Sequence, residues 1–228
     1  MRRYKRFLAD VVLDDGREVT AHCPNTGAML GCDQPGARVW LSRADRPGRK
    51  LDWTWELVRA APGVVVGIHT GRTNDLVAEA ILGGRIPRLA GYATVRREVP
   101  VDAGRVDFVL EGPRRKPCLL EVKNVTAAVR EGVALFPDAV SARATRHVGF
   151  LAREAARGHR AVLLYCVQRE DVNEVRPADH IDPVYGQALR AAGQAGVELM
   201  AWGCRVSPRA VTLDRRLRVR LPRTGPPV

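Results

Sequence analysis

Along the first 68 positions, apolar and polar residues alternate in short runs, each closed by a turn signal. Tyr4 to Leu13 reads as a strand entering Asp14-Asp15-Gly16, a hairpin signal, and Glu18 to His22 follows as its partner. Further strand patterns lie at Arg38 to Ser42, Leu51 to Val58 and Val64 to Ile68. Gln34-Pro35-Gly36, Arg46-Pro47-Gly48 and Ala61-Pro62-Gly63 punctuate them. Five strands in this space predict an OB-type β-barrel over residues 1–68, with another small β-sandwich as the alternative.

Over residues 69–228 the period changes. Asn74 is placed to cap a helix carrying Leu76, Val77, Ala80 and Ile81, which Gly83-Gly84 stops. Strand patterns follow at Thr94 to Val99, Val106 to Leu110 and Cys118 to Val122, then a helix from Ser141 to Ala156. Ala161 to Val167 is almost continuously apolar, the mark of a strand buried on both faces in a parallel sheet. A helix from Pro183 to Ala192 and a strand from Val197 to Cys204 complete the order. Residues 210–221 alternate Val211, Leu213, Leu217, Val219 and Leu221 with Arg and Thr, predicting an edge strand or hairpin with a basic outer face. Strands mixed with helices in this way predict an α/β sandwich.

Composition narrows the function classes. Hydrophobic residues make up 46% of the 228, which excludes wholesale disorder. No apolar run approaches the roughly 18–20 residues of a membrane-spanning helix. The basic start, Met1-Arg2-Arg3-Tyr4-Lys5-Arg6, lacks the apolar core of a signal peptide, so the expected compartment is the cytoplasm. Five scattered cysteines without a C-x-x-C predict neither disulfides nor zinc. The net charge of +12 is spread as +3, +5 and +4 over residues 1–66, 67–158 and 159–228. Such a surplus favours a polyanionic partner, nucleic acid first, although 33 of the 37 basic residues are Arg and reflect composition bias as well.

The candidate chemistry centres on Arg105 to Leu110 and Leu119 to Lys123. Strand alternation puts Glu121 and Lys123 on one face and turns Val122 to the other. Pairing residues whose numbers sum to 228 sets Asp107 opposite Glu121, whereas a sum of 229 sets it opposite Val122. The pattern leaves both registers open. In the first, Asp107, Glu121 and the backbone carbonyl of Val122 form an all-oxygen site suited to Mg²⁺ or Mn²⁺. Lys123 would then orient water and stabilise charge on a phosphate. The plain alternative is a half-exposed strand pair with a solvated Asp and a Glu–Lys contact. Glu79, on the preceding helix, is a candidate third carboxylate. Gln168 ends the buried strand, where ligands sit in α/β sheets. Lys5 and Arg6, with Arg143, Arg146 and His147 on one side of a helix, are candidate phosphate contacts, and His147 is a candidate general base. Tyr4, Trp53 and Trp55 read equally as base-stacking or core residues.

Several blocks are recognisable: Tyr4 to Val11, Ala21-His22-Cys23-Pro24-Asn25-Thr26-Gly27, Arg85-Ile86-Pro87, Arg105 to Phe108, Glu121-Val122-Lys123-Asn124-Val125-Thr126, Ala134 to Val140 and Gly158 to Val162. Together they resemble the bacterial and archaeal sugar fermentation stimulation protein A family, over nearly the whole chain. The resemblance implies a DNA-binding protein with an N-terminal OB-type barrel and a C-terminal part similar to PD-(D/E)xK restriction-endonuclease-like nucleases. It carries the nuclease motif to Asp107 and Glu121-x-Lys123, with Glu79 as the helix carboxylate and Gln168 as an extra polar residue. Members often have Arg-Gly-x-Lys/Arg-His on the helix, where this chain has Arg143-Ala144-Thr145-Arg146-His147. The family name also implies a non-enzymatic transcriptional regulator of sugar-utilisation genes as the competing function, and a barrel of this type also suits RNA.

Overall fold

The structure is a computed structural model that describes residues 1–43, 48, 50–102, 104–130 and 132–222. Its N-terminal sheet contains β1 (Arg2–Tyr4), β2 (Leu8–Val12), β3 (Glu18–His22), β4 (Val39–Arg43), β5 (Trp53–Ala61) and β6 (Val64–Gly67). The order is β1-β2-β3-β5-β4 with β6 on β5, and β3 meets β5 in parallel, as in a partly open Greek-key barrel. Tyr4 to Leu13 is not one strand. It breaks at Lys5 and Arg6, whose φ values of 48° and 64° reverse the chain, and the Arg3 guanidinium holds the carbonyl of Arg6. The Asp14-Asp15-Gly16 hairpin forms as the turn residues require, with Gly16 at φ 85°. Arg46 and Pro47 of the third turn signal lie outside the described residues.

Trp55, Met29, Val66 and Ile68 fill the barrel core. Trp55 is therefore a core residue, its indole N–H donating to the carbonyl of Leu57 at 2.8 Å. Tyr4 is tied to Asp10 by its hydroxyl and lies under Arg2.

The second sheet begins after α1 (Thr73–Leu82) and comprises β7 (Thr94–Val101), β8 (Gly104–Gly112), β9 (Arg115–Val125), β10 (Ala128–Arg130) and β11 (Gly132–Phe136). It continues, around α2 (Ala142–Ala156) and α3 (Pro183–Gln194), with β12 (Arg160–Val167), β13 (Val172–Pro177), β14 (Glu198–Val206) and β15 (Val211–Val219). The nine strands run in the order β10-β11-β13-β15-β14-β12-β9-β8-β7. β12 pairs in parallel with both β9 and β14. Its alternate residues Val162, Leu164 and Cys166 enter the core under α1, while Leu163, Tyr165 and Val167 enter the core under α2 and α3. The continuous apolar run thus serves two faces at once. The α1 side also takes Leu57 from the barrel, so the two sheets share a core.

Residues 211–219 do form a hairpin with β14, but not an edge. β15 also pairs in parallel with β13 and so lies inside the sheet. The edge expectation fails because β13, with β11 and β10 beyond it, extends the sheet past β15, and the polar pattern of β13 does not announce a strand. β13 is Val-Asn-Glu-Val-Arg-Pro, whose charges belong to ion pairs of Glu174 with Arg176 and Arg220. All five cysteines are buried and free. Among the described residues, no helix is long and apolar enough to cross a membrane.

Candidate functional site: a strand fork holding two carboxylates

β8 and β9 pair as Phe108 with Leu120, Val109 with Leu119 and Leu110 with Cys118, the register in which residue numbers sum to 228. The ladder stops beyond Phe108. There the N–H of Val122 donates not to a backbone carbonyl but to the Asp107 carboxylate, at 2.7 Å. The strands therefore part where the motif begins, and Asp107 sits at the fork. Glu98 lies alongside it on β7 in a left-handed conformation, φ 51°.

Three side chains hold the two carboxylates. Asn74, in the first turn of α1, donates to Asp107 Oδ1 at 2.9 Å and to Glu98 at 3.0 Å. Lys123 Nζ donates to Glu121 Oε1 at 2.6 Å. His147 Nδ1 shares a hydrogen bond with the same oxygen. Glu121 is only 3% exposed and His147 6%, so this contact is sealed from water. The environments push the two acids apart. Burial and the neighbouring Glu121 charge raise the Asp107 pKa, against the pull of Val122 N–H, Asn74 and Lys123. Burial alone would raise Glu121 too, but its bond to His147 and the Lys123 charge outweigh that and lower it. Two neighbouring carboxylates whose pKa values are pushed in opposite directions are an arrangement that acid–base and metal chemistry use.

Behind the fork lies a polar network. Gln168 Nε2 donates to Asn124 Oδ1 at 2.7 Å and to Thr73 Oγ1 at 3.3 Å. The backbone carbonyl of Gln168 accepts the N–H of Gly67 at 2.9 Å, which joins the network to the barrel. A cavity of about 380 Å³ opens onto Asp107 between Asn74, Arg97, Glu98 and Asn124.

The sequence-derived candidates divide accordingly. Asp107, Glu121 and Lys123 come together, and Gln168 lies behind them. Glu79 does not join them: it is exposed, bound to Arg85 at 2.9 Å, and five residues beyond Asn74, hence about 7.5 Å further along the helix axis. Among the described residues no three His, Cys, Asp or Glu side chains gather into a metal cluster. His147 is not on the surface with Arg143 and Arg146. It falls in the buried stripe of Ala144, Val148 and Leu151, a placement the 3.6-residue period already contained, while both arginines are exposed. Lys5 and Arg6 are exposed at the β1–β2 turn. Asn74 does not cap α1, whose N-cap is Arg72 without a side-chain bond; its amide serves Asp107 instead. Asn124 and Thr73 carry no signal of this role in the sequence. Alternation along β9 put Asn124 on the α1 face, but only tertiary structure brings Thr73 and Gln168 to it.

The geometry agrees with comparisons to known proteins. Residues 1–68 match the family model described as the SfsA N-terminal OB domain, and residues 71–210 that of the sugar fermentation stimulation protein RE domain. A sugar fermentation stimulation protein homolog of Alkalilimnicola ehrlichii is 60% identical over 97% of this chain and 95% of its own length. A homolog from Thioalkalivibrio sulfidiphilus is 59% identical over 99% and 95%. The solved structure of Pyrococcus furiosus SfsA in complex with Ca²⁺ superposes with a TM-score of 0.87 at 25% identity, covering 96% of this chain and 93% of that one. With both sheets, their family models and close full-length relatives in agreement, this chain belongs to the sugar fermentation stimulation protein family.

Proposed function

We propose that the protein binds DNA and hydrolyses its phosphodiester bonds with a divalent metal at the β8–β9 fork. The observation that carries this reading is the placement of two buried carboxylates and a lysine where two strands part. The donor chemistry fits a hard cation. Asp107, Glu121 and the backbone carbonyl of Val122 are all oxygen donors, and Mg²⁺ commonly takes one or two carboxylates and completes its shell with water and phosphate. Mn²⁺ suits the same oxygen set. The relative from Pyrococcus furiosus was solved with Ca²⁺, another oxygen-seeking divalent ion. When bound, such an ion polarises a phosphate and lowers the pKa of a coordinated water.

The chain's own residues then have separate tasks. His147 and Lys123 hold Glu121 ionised and oriented from one side, leaving Oε2 free of a side-chain bond among the described contacts. Asn74 and the Val122 N–H fix Asp107. Lys123 stabilises negative charge on the phosphate oxygens. Arg143, Arg146, Lys5 and Arg6 attract the phosphate backbone without reading sequence. The test is incubation of pure protein with labelled DNA and RNA in Mg²⁺, Mn²⁺ or EDTA. Cleavage that needs metal and disappears in Asp107→Ala and Glu121→Ala supports the reading. Metal-independent binding without cleavage would leave a DNA-binding regulator, and cleavage of RNA alone would reassign the substrate.

A further inference from the structure

Two cavities meet at Thr70 and Asn124, and their chemistry differs. The one over Asp107 is charged, lined also by Asp75, Arg97 and Glu98. The other, of about 180 Å³, lies under the barrel loop Pro24 to Gly27 and is lined by the amides of Asn25 and Asn124, whose oxygens already accept from Gly27 N–H and from Gln168 and Thr73, and by the hydroxyls of Thr26 and Thr126, with apolar Leu135 and Phe136. It has no Lys or Arg among its lining residues, and its one acid, Asp138, is engaged by the N–H of Met29 at 2.9 Å. The loop that roofs it is pinned. Thr70 Oγ1 donates to the carbonyl of Pro24 at 2.6 Å, and Asp138 lies so close to Gly27 that an added Cβ would sit 2.5 Å from its carboxylate.

This pocket offers a phosphate no cation and one carboxylate, Asp138, whereas its amides, hydroxyls and apolar floor match the edge and face of a nucleobase. We propose that this second cavity receives an unpaired base adjacent to the phosphodiester engaged at Asp107 and Glu121, making single-stranded DNA the substrate class. The inference rests on the nuclease reading of the fork and adds the barrel loop as a wall of the substrate path. A base held in a duplex must first be unpaired and unstacked to enter, so a single strand should bind at least roughly tenfold more tightly than its own blunt duplex.

The experiment measures fluorescence anisotropy of a short labelled single strand, the same sequence as a duplex, and an abasic strand of equal length, in Ca²⁺ at fixed salt. The single strand should bind at least roughly tenfold better than either of the others. Thr26→Trp, a change at an exposed position that fills the cavity mouth, should bring single-strand affinity down to the duplex level, while Thr26→Ser should retain it. Equal affinity for single strand and duplex, equal affinity for abasic and intact strands, or a folded Thr26→Trp with unchanged single-strand affinity would overturn the inference. Should Thr26→Trp not fold, the abasic arm on the unaltered protein decides. Metal-dependent cleavage without strand preference defeats this inference alone, and strand preference without cleavage defeats only the nuclease reading.

Discussion

Replacing His147 by Ala tests the inner half of the site, because the structure buries this candidate phosphate contact against Glu121. The change removes a hydrogen bond to Glu121, a carboxylate 3% exposed whose remaining side-chain partner is Lys123. Hydrogen bonds to charged groups contribute about 1.5–3 kcal/mol, and removing one partner leaves the other incompletely satisfied in a medium that penalises it. Loss of buried ring contacts adds to this, so about 2–4 kcal/mol of destabilisation is expected. For a protein of this size each kcal/mol lowers the melting temperature by about 2–4 °C, giving a fall of roughly 4–16 °C. Urea unfolding followed by circular dichroism at neutral pH measures the free-energy loss, and a thermal scan the shift in melting temperature. Glu121→Gln should share the effect, and the double variant should lose less than the sum of the two, with about 0.5–3 kcal/mol of coupling. A His147→Ala loss within about 0.5 kcal/mol, as for a surface residue, would refute the buried contact.

Three further outcomes follow from other parts of the molecule. Asp107→Asn removes a negative charge buried beside Glu121 but turns one of two accepting oxygens into a donor facing Asn74 or the Val122 N–H, so its stability relative to the unaltered protein should be about 1 kcal/mol more favourable at neutral pH than in acid. Its folded pKa lies above the unfolded value, so the native Asp107 costs stability as pH rises through that folded pKa and costs nothing below the unfolded one. Glu121 has the opposite sign, contributing stability above its unfolded pKa that is lost as pH falls through the lowered folded one. Unfolding across about pH 3 to 8 should therefore show the stability of Asp107→Asn relative to the unaltered protein fall as the pH drops through the carboxylate range, and a constant difference would contradict it. Gly67→Ala should destabilise by about 1–3 kcal/mol and uncouple barrel from sheet, because its Cβ would meet Gln168 Oε1 at 2.3 Å and Gln168 Cβ at 3.2 Å; an unchanged melting curve would show the junction yields. Arg143→Ala with Arg146→Ala should weaken DNA binding and lower its salt dependence by up to about 2 phosphate contacts, with stability within about 0.5 kcal/mol, read by anisotropy titrations at several salt concentrations.

The fold was legible where a single element's pattern decides it. The Asp-Asp-Gly hairpin, the two-faced β12 and the helix from Ser141 follow from turn chemistry and periodicity, and Ser141 does cap α2 by accepting the N–H of Ala144. What failed needed partners. β13 carries Glu174 and Arg176, polar in sequence and neutralised only in the folded chain, and without it β15 looked like an edge. The site divided in the same way. Alternation put Glu121 and Lys123 on one face, but the register that delivers Asp107 depends on where the ladder ends. The helix carboxylate expected at Glu79 pairs with Arg85 in solvent, whereas the fold brings the neutral amide of Asn74 to Asp107. An amide that resembles a cap in sequence gives no sign of a tertiary partner.

Divalent-ion binding to the intact protein tests most directly whether the fork is a metal site. Electron paramagnetic resonance of Mn²⁺ titrated into the protein at neutral pH reports bound against free ion without requiring turnover. The account predicts binding by the unaltered chain that Mg²⁺ displaces, that Asp107→Asn and Glu121→Gln each abolish or strongly weaken, and that Glu79→Gln leaves intact. Absence of Mn²⁺ binding in the unaltered protein, or its loss in Glu79→Gln with retention in Asp107→Asn and Glu121→Gln, would contradict it.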